Sequence, residues 1–273
     1  MAIELPEAYV ISNQMHKILQ GKTITTVHVS KECESLIRQG FIRVDPDSLV
    51  KRKILGVSTK GKWIFVQFSE GNYLLLALET GGKILFHNNP DPAPKKFHIR
   101  LDFDDGTMLS VWIVGWGFAK VVPEDALEAD RYPGKLGLSP IDEERFTQQA
   151  FDTILGGRKD TIKSVLLDQW TIAGLGNGYA QDILFKAKIH PKRKTTEISN
   201  AEKITLYLTI KETLQSAIRM GGSECECDLF GAPGSYKKVF GDRKKALTCP
   251  VCGTRIVKLV LGSSTYYCPA CQK

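Results

Sequence analysis

Four cysteines near the carboxyl end constrain this chain more than any other feature. Cys249, Cys252, Cys268 and Cys271 read C-x2-C, fifteen residues, C-x2-C. Two such knuckles bring four thiolates to one tetrahedral Zn2+, and four thiolates leave no open position for water, so the pattern predicts one structural zinc ion. A disulfide pair and a catalytic metal are the alternatives. Residues 254–267 between the knuckles are β-branched and aromatic around Gly262-Ser263-Ser264, which predicts a zinc-ribbon hairpin turning there. Cys225 and Cys227, one residue apart, have poor ligand spacing and are expected to be free thiols in a loop; Cys33 is expected to be inert.

A ribbon accounts for a small part of 273 residues, which is room for two domains. With 42% hydrophobic and 25% charged residues the composition is that of a globular protein, which excludes a disordered or fibrous chain. The apolar run at residues 111–118 is too short to span a bilayer, which takes about 20 residues. The opening MAIELPEAYV lacks the basic and apolar regions of a secretory signal, so a cytoplasmic protein is expected, nucleoid-associated if bacterial. Net charge is +7, but residues 183–273 carry 16 Lys and Arg against 7 Asp and Glu, leaving −2 for residues 1–182. A surplus on one side favours a polyanionic partner, nucleic acid above all; a solvated basic face would look the same.

Along the chain, residues 6–20 predict an opening helix with Pro6 in its first turn and Ile11, Met15, Ile18 and Leu19 on one face. Strand-like runs follow at 23–30, 63–68, 73–78, 97–103 and 107–114, the last two joined by a turn at Asp104-Asp105-Gly106, which argues for a β-sandwich or barrel. Beyond Pro123 the pattern turns helical: 143–155 after a start at Ser139-Pro140, then 161–169, 177–186 and 200–220. Ala173-Gly174-Leu175-Gly176 is a tight turn before a helix N-terminus, where backbone N–H groups suit a phosphate. A loop rich in Gly and Pro, 221–236, precedes the ribbon.

Several co-linear motifs resemble the formamidopyrimidine-DNA glycosylase and endonuclease VIII family over nearly the whole length. Glu4-Leu5-Pro6-Glu7 is similar to the family's opening Pro-Glu-Leu-Pro-Glu, and Gly61-Lys62-Trp63 to its Gly-Lys entering a strand. Ile162-Lys163, Leu167-Asp168-Gln169, Ala173 to Asn177, Tyr179-Ala180 and Ile189-His190-Pro191 resemble its helix-two-turn-helix element, and Cys268-Pro269-Ala270-Cys271-Gln272 its terminal zinc hairpin. The resemblance implies an α+β fold: an N-terminal β-sandwich with an opening helix (1–125), a helical helix-two-turn-helix domain (126–220), and a flexible loop with a zinc-ribbon hairpin (221–273). It implies a monomer that clasps damaged or abasic double-stranded DNA with the lesion flipped out. An N-terminal amine would attack the sugar C1′, displace the base and form an imine that permits β-elimination. Glu4 would serve as acid or base, with Glu7 beside it. Lys62, Trp116, Lys163, Gly174, Gly176, Asn177, Tyr179 and Ser263 fall at DNA-facing positions, and the basic clusters at 192–194, 237–238 and 243–245 are expected to face phosphates.

The sequence also departs from the family. Ile3 stands where the nucleophilic proline is expected, so the amine is displaced to Ala2, or Lys62 replaces it with a pKa lowered by burial or a nearby cation. The family's Leu-Gly-Met-Ser-Gly becomes Leu78-Glu79-Thr80-Gly81-Gly82, its strand-end Arg and aromatic wedge become Val114-Gly115-Trp116-Gly117, and its hairpin-tip Arg becomes Ser263. These changes imply a DNA glycosylase and AP lyase of altered specificity, or a catalytically impaired protein that binds lesions or abasic sites. The plainer uses are helix caps for Glu4, Glu7 and Asn177, a strand-edge lysine at 62, and a core position for Trp116.

Overall fold

A computed structural model describes residues 3–88, 94–130, 132–240 and 248–273. Ala2 and the cluster at 243–245 therefore lie outside the described residues. The chain divides into two compact units, one made of residues 1–135 with 221–235, the other of 136–220 with 236–273. This redraws the expected boundaries at 125 and 220: the loop after the last helix belongs with the N-terminal unit, not with the zinc hairpin.

The first unit, which also holds the short helix α2 (Glu34–Arg38), opens with helix α1 (Leu5–Leu19), where Ala8, Ile11, Met15 and Leu19 form a buried stripe at helical spacing. The stripe faces strands β3 (Ile54–Lys60) and β4 (Trp63–Phe68), and Val57 N–H donates to His16 Nδ1 at 3.1 Å across that contact. Strands β1 (Ile24–Val29), β6 (Lys83–His87), β7 (Ile99–Phe103) and β8 (Met108–Trp112) form a four-stranded sheet in the order β1-β7-β8-β6. Strands β2 (Ile42–Arg43), β5 (Asn72–Ala77) and β9 (Phe118–Pro123) join β3 and β4 in a five-stranded sheet ordered β2-β9-β5-β4-β3. All pairs are antiparallel except β2 with β9. Alternation along the strands sends one side chain in two inward, and Ile24, Val66, Leu74, Ile84, Leu101, Leu109 and Val111 share one core. The turn expected at Asp104-Asp105-Gly106 is there, with Gly106 at φ +81.

The loop at 221–235 closes on itself through Asp228 N–H to Ala232 O (2.9 Å) and Gly234 N–H to Glu226 O (3.2 Å). It is anchored by Gln14, which donates to Asp228 Oδ2 at 2.8 Å and accepts from Leu229 N–H at 3.0 Å, while Leu229 is fully buried in the sandwich core.

The second unit holds helices α3 (Gln148–Gly156), α4 (Ile162–Leu167), α5 (Asn177–Lys186) and α6 (Asn200–Arg219) and the hairpin β10 (Val257–Leu261) and β11 (Ser263–Tyr267). Thr147, Thr161 and Ser199 cap α3, α4 and α6 by accepting from backbone N–H groups. The helix expected at 143–155 starts only at Gln148. Thr147 Oγ1 takes the N–H of Ala150 while Phe146 turns into the core, so residues before 147 form turns. The hairpin also reverses more tightly than expected, at Gly262 alone (φ +70), with Leu261 and Ser263 already paired.

Candidate functional site

At the start of α1, Glu4 is the N-cap residue and Glu7 sits three positions on, each carboxylate serving the other's backbone in a reciprocal capping box. Glu4 N–H donates to Glu7 Oε2 at 3.1 Å, and Glu7 Oε1 accepts from Ser223 N–H at 2.9 Å. Both side chains are nearly removed from solvent, at 4% and 3% exposure. Capping alone does not require that, because a cap carboxylate works at the surface. One carboxylate thus ties the first turn of α1 to the loop 216 residues later. The approach needs two glycines. A Cβ on Gly222 (φ +90) would come within 3.1 Å of Glu7 Cγ, and one on Gly234 within 2.1 Å of Gly222 O.

Ile3, at the position where the resemblance puts a nucleophilic proline, is 3% exposed, and its side chain belongs to the sandwich core. Its nitrogen lies inside the chain as an amide, which is not a nucleophile. Lys62 follows Gly61 (φ +59) in the tight turn between β3 and β4, and its ammonium is engaged by the carboxylate of Glu79. Glu79 belongs to the segment Leu78-Glu79-Thr80-Gly81-Gly82, so that segment supplies the partner of Lys62. Next to it, Thr80, Gly81, Gly82 and Lys83 form one wall of a pocket of about 360 Å3; residues 224–227 and Pro233 form the other. Cys225 is exposed there, and burial pushes the half-buried Cys227 thiol up. Cys33 lies fully buried away from this pocket, its thiol also raised by burial and donating to Ser30 O at 2.8 Å, which is the inert role expected of it.

Trp116 is not a core residue. It is 77% exposed at the turn between β8 and β9, steadied from one side by the edge of Phe41 at 5.5 Å. A tryptophan so exposed gains little from folding and is what an aromatic wedge requires.

In the second unit the structure brings Lys163, Asn177 and Ser263 together. Lys163 Nζ donates to Leu261 O (3.1 Å), Ser263 Oγ (3.1 Å) and Thr265 Oγ1 (2.5 Å). Ser263 Oγ donates in turn to Asn177 Oδ1 at 2.8 Å, and Asn177 Nδ2 to Ser264 O at 3.0 Å. Lys163 is 1% exposed, and burial lowers its pKa to about 8. The expected surface contact of Lys163 is thereby corrected: the three oxygens of the hairpin tip enclose the ammonium, one layer behind the surface. Tyr179 is corrected likewise. It is fully buried, with the Lys238 ammonium 4.1 Å from its ring centroid, so it supports the helical core. In the glycine turn, Gly174 takes φ +96 and its N–H is already donated to Gln169 Oε1 at 2.8 Å, while Gly176 is the N-cap of α5.

Behind α5 lies a buried network that no motif in the sequence announces. Asp182, 1% exposed, accepts from Tyr236 Oη (3.0 Å) and Val239 N–H (2.9 Å), and Lys186 donates to Tyr236 Oη at 3.0 Å. Desolvation pushes the Asp182 carboxyl up to about 6 against these donors. A lone Asp inside an otherwise apolar helix face was the available signal.

The four ribbon cysteines converge, with all four sulfurs within 4.8 Å of one another. Sγ atoms of Cys249 and Cys271 lie 3.8 Å apart, and those of Cys252 and Cys268 3.5 Å apart, close to the edge of about 3.8 Å for a tetrahedron of Zn–S bonds. Knuckle N–H groups of Val251 and Cys271 point at Cys249 and Cys268 sulfurs at 3.4 Å, as thiolates require. The residues fit one structural zinc ion, and the thiols are too far apart for disulfides. No helix among the described residues is long and apolar enough to cross a membrane.

Three family models match: the formamidopyrimidine-DNA glycosylase N-terminal domain over residues 2–112, the formamidopyrimidine-DNA glycosylase H2TH domain over 136–228, and the zinc finger found in FPG and IleRS over 246–273. The formamidopyrimidine-DNA glycosylase of Pelotomaculum thermopropionicum is 33% identical over 275 residues, covering 99% of each chain. That of Brevibacillus brevis is 32% identical over 281 residues, again with 99% of each covered. Among solved structures, Lactococcus lactis Fpg in complex with abasic-site DNA superposes with a TM-score of 0.83 at 28% identity, and the same protein with N7-benzyl-Fapy-dG DNA with 0.83 at 29%, both over 99% of each chain.

Proposed function

The chain belongs to the formamidopyrimidine-DNA glycosylase family, and from that premise we propose that it binds damaged or abasic double-stranded DNA and acts as a DNA glycosylase and AP lyase of altered specificity. The observation that carries this reading is the pair of buried carboxylates, Glu4 and Glu7, held together at the first turn of α1 and clamped to the loop at Ser223. A carboxylate kept out of water beside the chain's amino end is suited to pass protons to and from a sugar oxygen. The nucleophile is an amine upstream of Ile3, because the Ile3 nitrogen is an amide and the Lys62 ammonium is engaged by Glu79. A terminal amine has a reference pKa of about 7.7–8.0 and is partly unprotonated at neutral pH. It adds to C1′, the base leaves, and the resulting imine acidifies C2′ for β-elimination. Trp116 fills the gap left by the flipped nucleotide, and the pocket between residues 80–83 and 224–227 reads the base.

Borohydride trapping on a duplex with one abasic site tests this. A covalent adduct is expected with wild type and Lys62→Ala, and none once the terminal amine is blocked. The anchored Ile3 and the Lys62–Glu79 pair favour a second reading, recognition of abasic DNA without cutting. It prevails if tight binding is accompanied by no adduct and no base release from a panel of damaged bases.

A further inference from the structure

The solvent side of the four-stranded sheet carries a second pocket, which borders the lesion pocket at Gly81 and Lys83 and is otherwise built of residues the lesion site does not use. Lys83 on β6 is the direct cross-strand partner of Trp112 on β8, and Leu85 is the partner of Ser110, so these four side chains share one face. Together with Gly81 and Lys96 they line a pocket of about 250 Å3. Its aromatic floor is fixed: the Trp112 ring stacks on His98, with centroids 3.9 Å apart and planes at 23°, and His98 Nδ1 accepts from Ile113 N–H at 3.1 Å. Ser110 is held by His87 Nε2 at 2.8 Å. Arg100, on the same sheet, is spent on Asp102 at 2.8 Å. Lys83 and Lys96 are exposed and make no ion pair among the described residues.

A pinned indole with two uncommitted ammonium groups at its rim matches the two halves of a nucleotide, a π-face for the base and cations for the phosphate. We propose that this pocket binds a nucleoside phosphate, its base against Trp112 and its phosphate between Lys83 and Lys96, beside the lesion pocket and sharing Lys83 with it. The ligand is either a free mononucleotide or an unpaired nucleotide of a DNA strand, which offer the same chemistry.

Calorimetric titration of the full-length protein with dTMP, thymidine, inorganic phosphate and the tetranucleotide dT4 tests it. One saturable dTMP site is expected, with thymidine and phosphate each weaker by about tenfold or more. Trp112→Leu should weaken dTMP by about tenfold. Lys96→Ala, on an exposed side chain that cannot unfold the sheet, should weaken dTMP severalfold while leaving thymidine unchanged. Tighter binding of dT4 than of dTMP identifies a strand as the source; equal binding identifies the free nucleotide. Absence of a saturable site for every probe overturns the proposal, as does a dTMP affinity indifferent to both substitutions, which would place the ligand in the pocket beside residues 224–227. Neither failure touches trapping on the abasic duplex, which involves neither Trp112 nor Lys96.

Discussion

Glu79 offers a test of the proposed function at a single residue. Its carboxylate holds the Lys62 ammonium inside the protein's own charge balance, at 28% and 26% side-chain exposure. An ion pair this exposed contributes little stability, about 0–1 kcal/mol, so folding does not account for it. Under the proposed function the pair bears on duplex affinity: it must open before Lys62 can meet a phosphate, and the carboxylate itself repels one. Glu79→Gln is therefore expected to bind duplex DNA severalfold more tightly at low salt, and to steepen the slope of log affinity against log salt by about one, as one more counterion is released. An unchanged slope in a filter-binding series would show that Lys62 meets no phosphate. Ile3 makes the complementary point. Cutting it to alanine should cost about 2–4 kcal/mol of stability, measurable by denaturant titration, because it fills the core and not the site.

Helices α4 and α5 and the zinc hairpin form one mechanical element, and Lys163 joins them. Lys163→Met removes a buried charge but orphans the oxygens of Leu261, Ser263 and Thr265. Zinc should remain bound while amide exchange at 261–265 accelerates. Duplex affinity should fall about tenfold with an unaltered salt slope, the signature of a positioning residue and not of a phosphate contact. Asp182 gives the same unit a pH dependence. Its folded pKa, about 6, lies above the ordinary carboxylate value, so the folded state holds the proton more tightly than the unfolded one. The stability this supplies is complete below the unfolded pKa near 3.9 and is lost as pH rises through 6. Asp182→Asn should flatten the melting temperature between pH 4 and 6, where wild type declines.

Elements whose cause is local were legible in the sequence. α5 runs over the predicted residues because the glycine turn sets its start, and the C-x2-C knuckles declare the ribbon without any tertiary information. What depends on distant partners was not. β6 is five residues with only Ile84 and Phe86 turned to the core, too short an alternation to stand out, and it becomes a strand by pairing with β8. The loop at 221–235 reads in the sequence as a flexible segment of the zinc-hairpin region because nothing within it reveals Gln14 or Glu7, more than 200 residues away. Asn177 and Ser263 were both singled out, but their hydrogen bond to each other, and Lys163 behind them, appear only when the hairpin folds over the helix N-terminus.

At the scale of the molecule, charge and metal divide along the two units. Residues 136–220 with 236–273 carry a net +9, and the remainder, including the acidic loop residues Glu224, Glu226 and Asp228, a net −2. Attraction to a polyanion therefore resides in the unit that zinc organises, whereas the buried pair Glu4 and Glu7 lies in the other. Removing the ion separates these roles. Without zinc, Cys249, Cys252, Cys268 and Cys271 have no reason to converge, and a hairpin of two five-residue strands is marginal alone. Its tip then no longer receives Lys163, and a lysine ammonium left buried without acceptors drives local opening of α4. Chelation should thus abolish duplex binding at moderate salt and expose the basic unit to proteolysis, with the strand signal of the sandwich in circular dichroism intact. Zinc added back should restore both. Loss of the sandwich signal along with the metal would mean instead that the two units fold as one cooperative body.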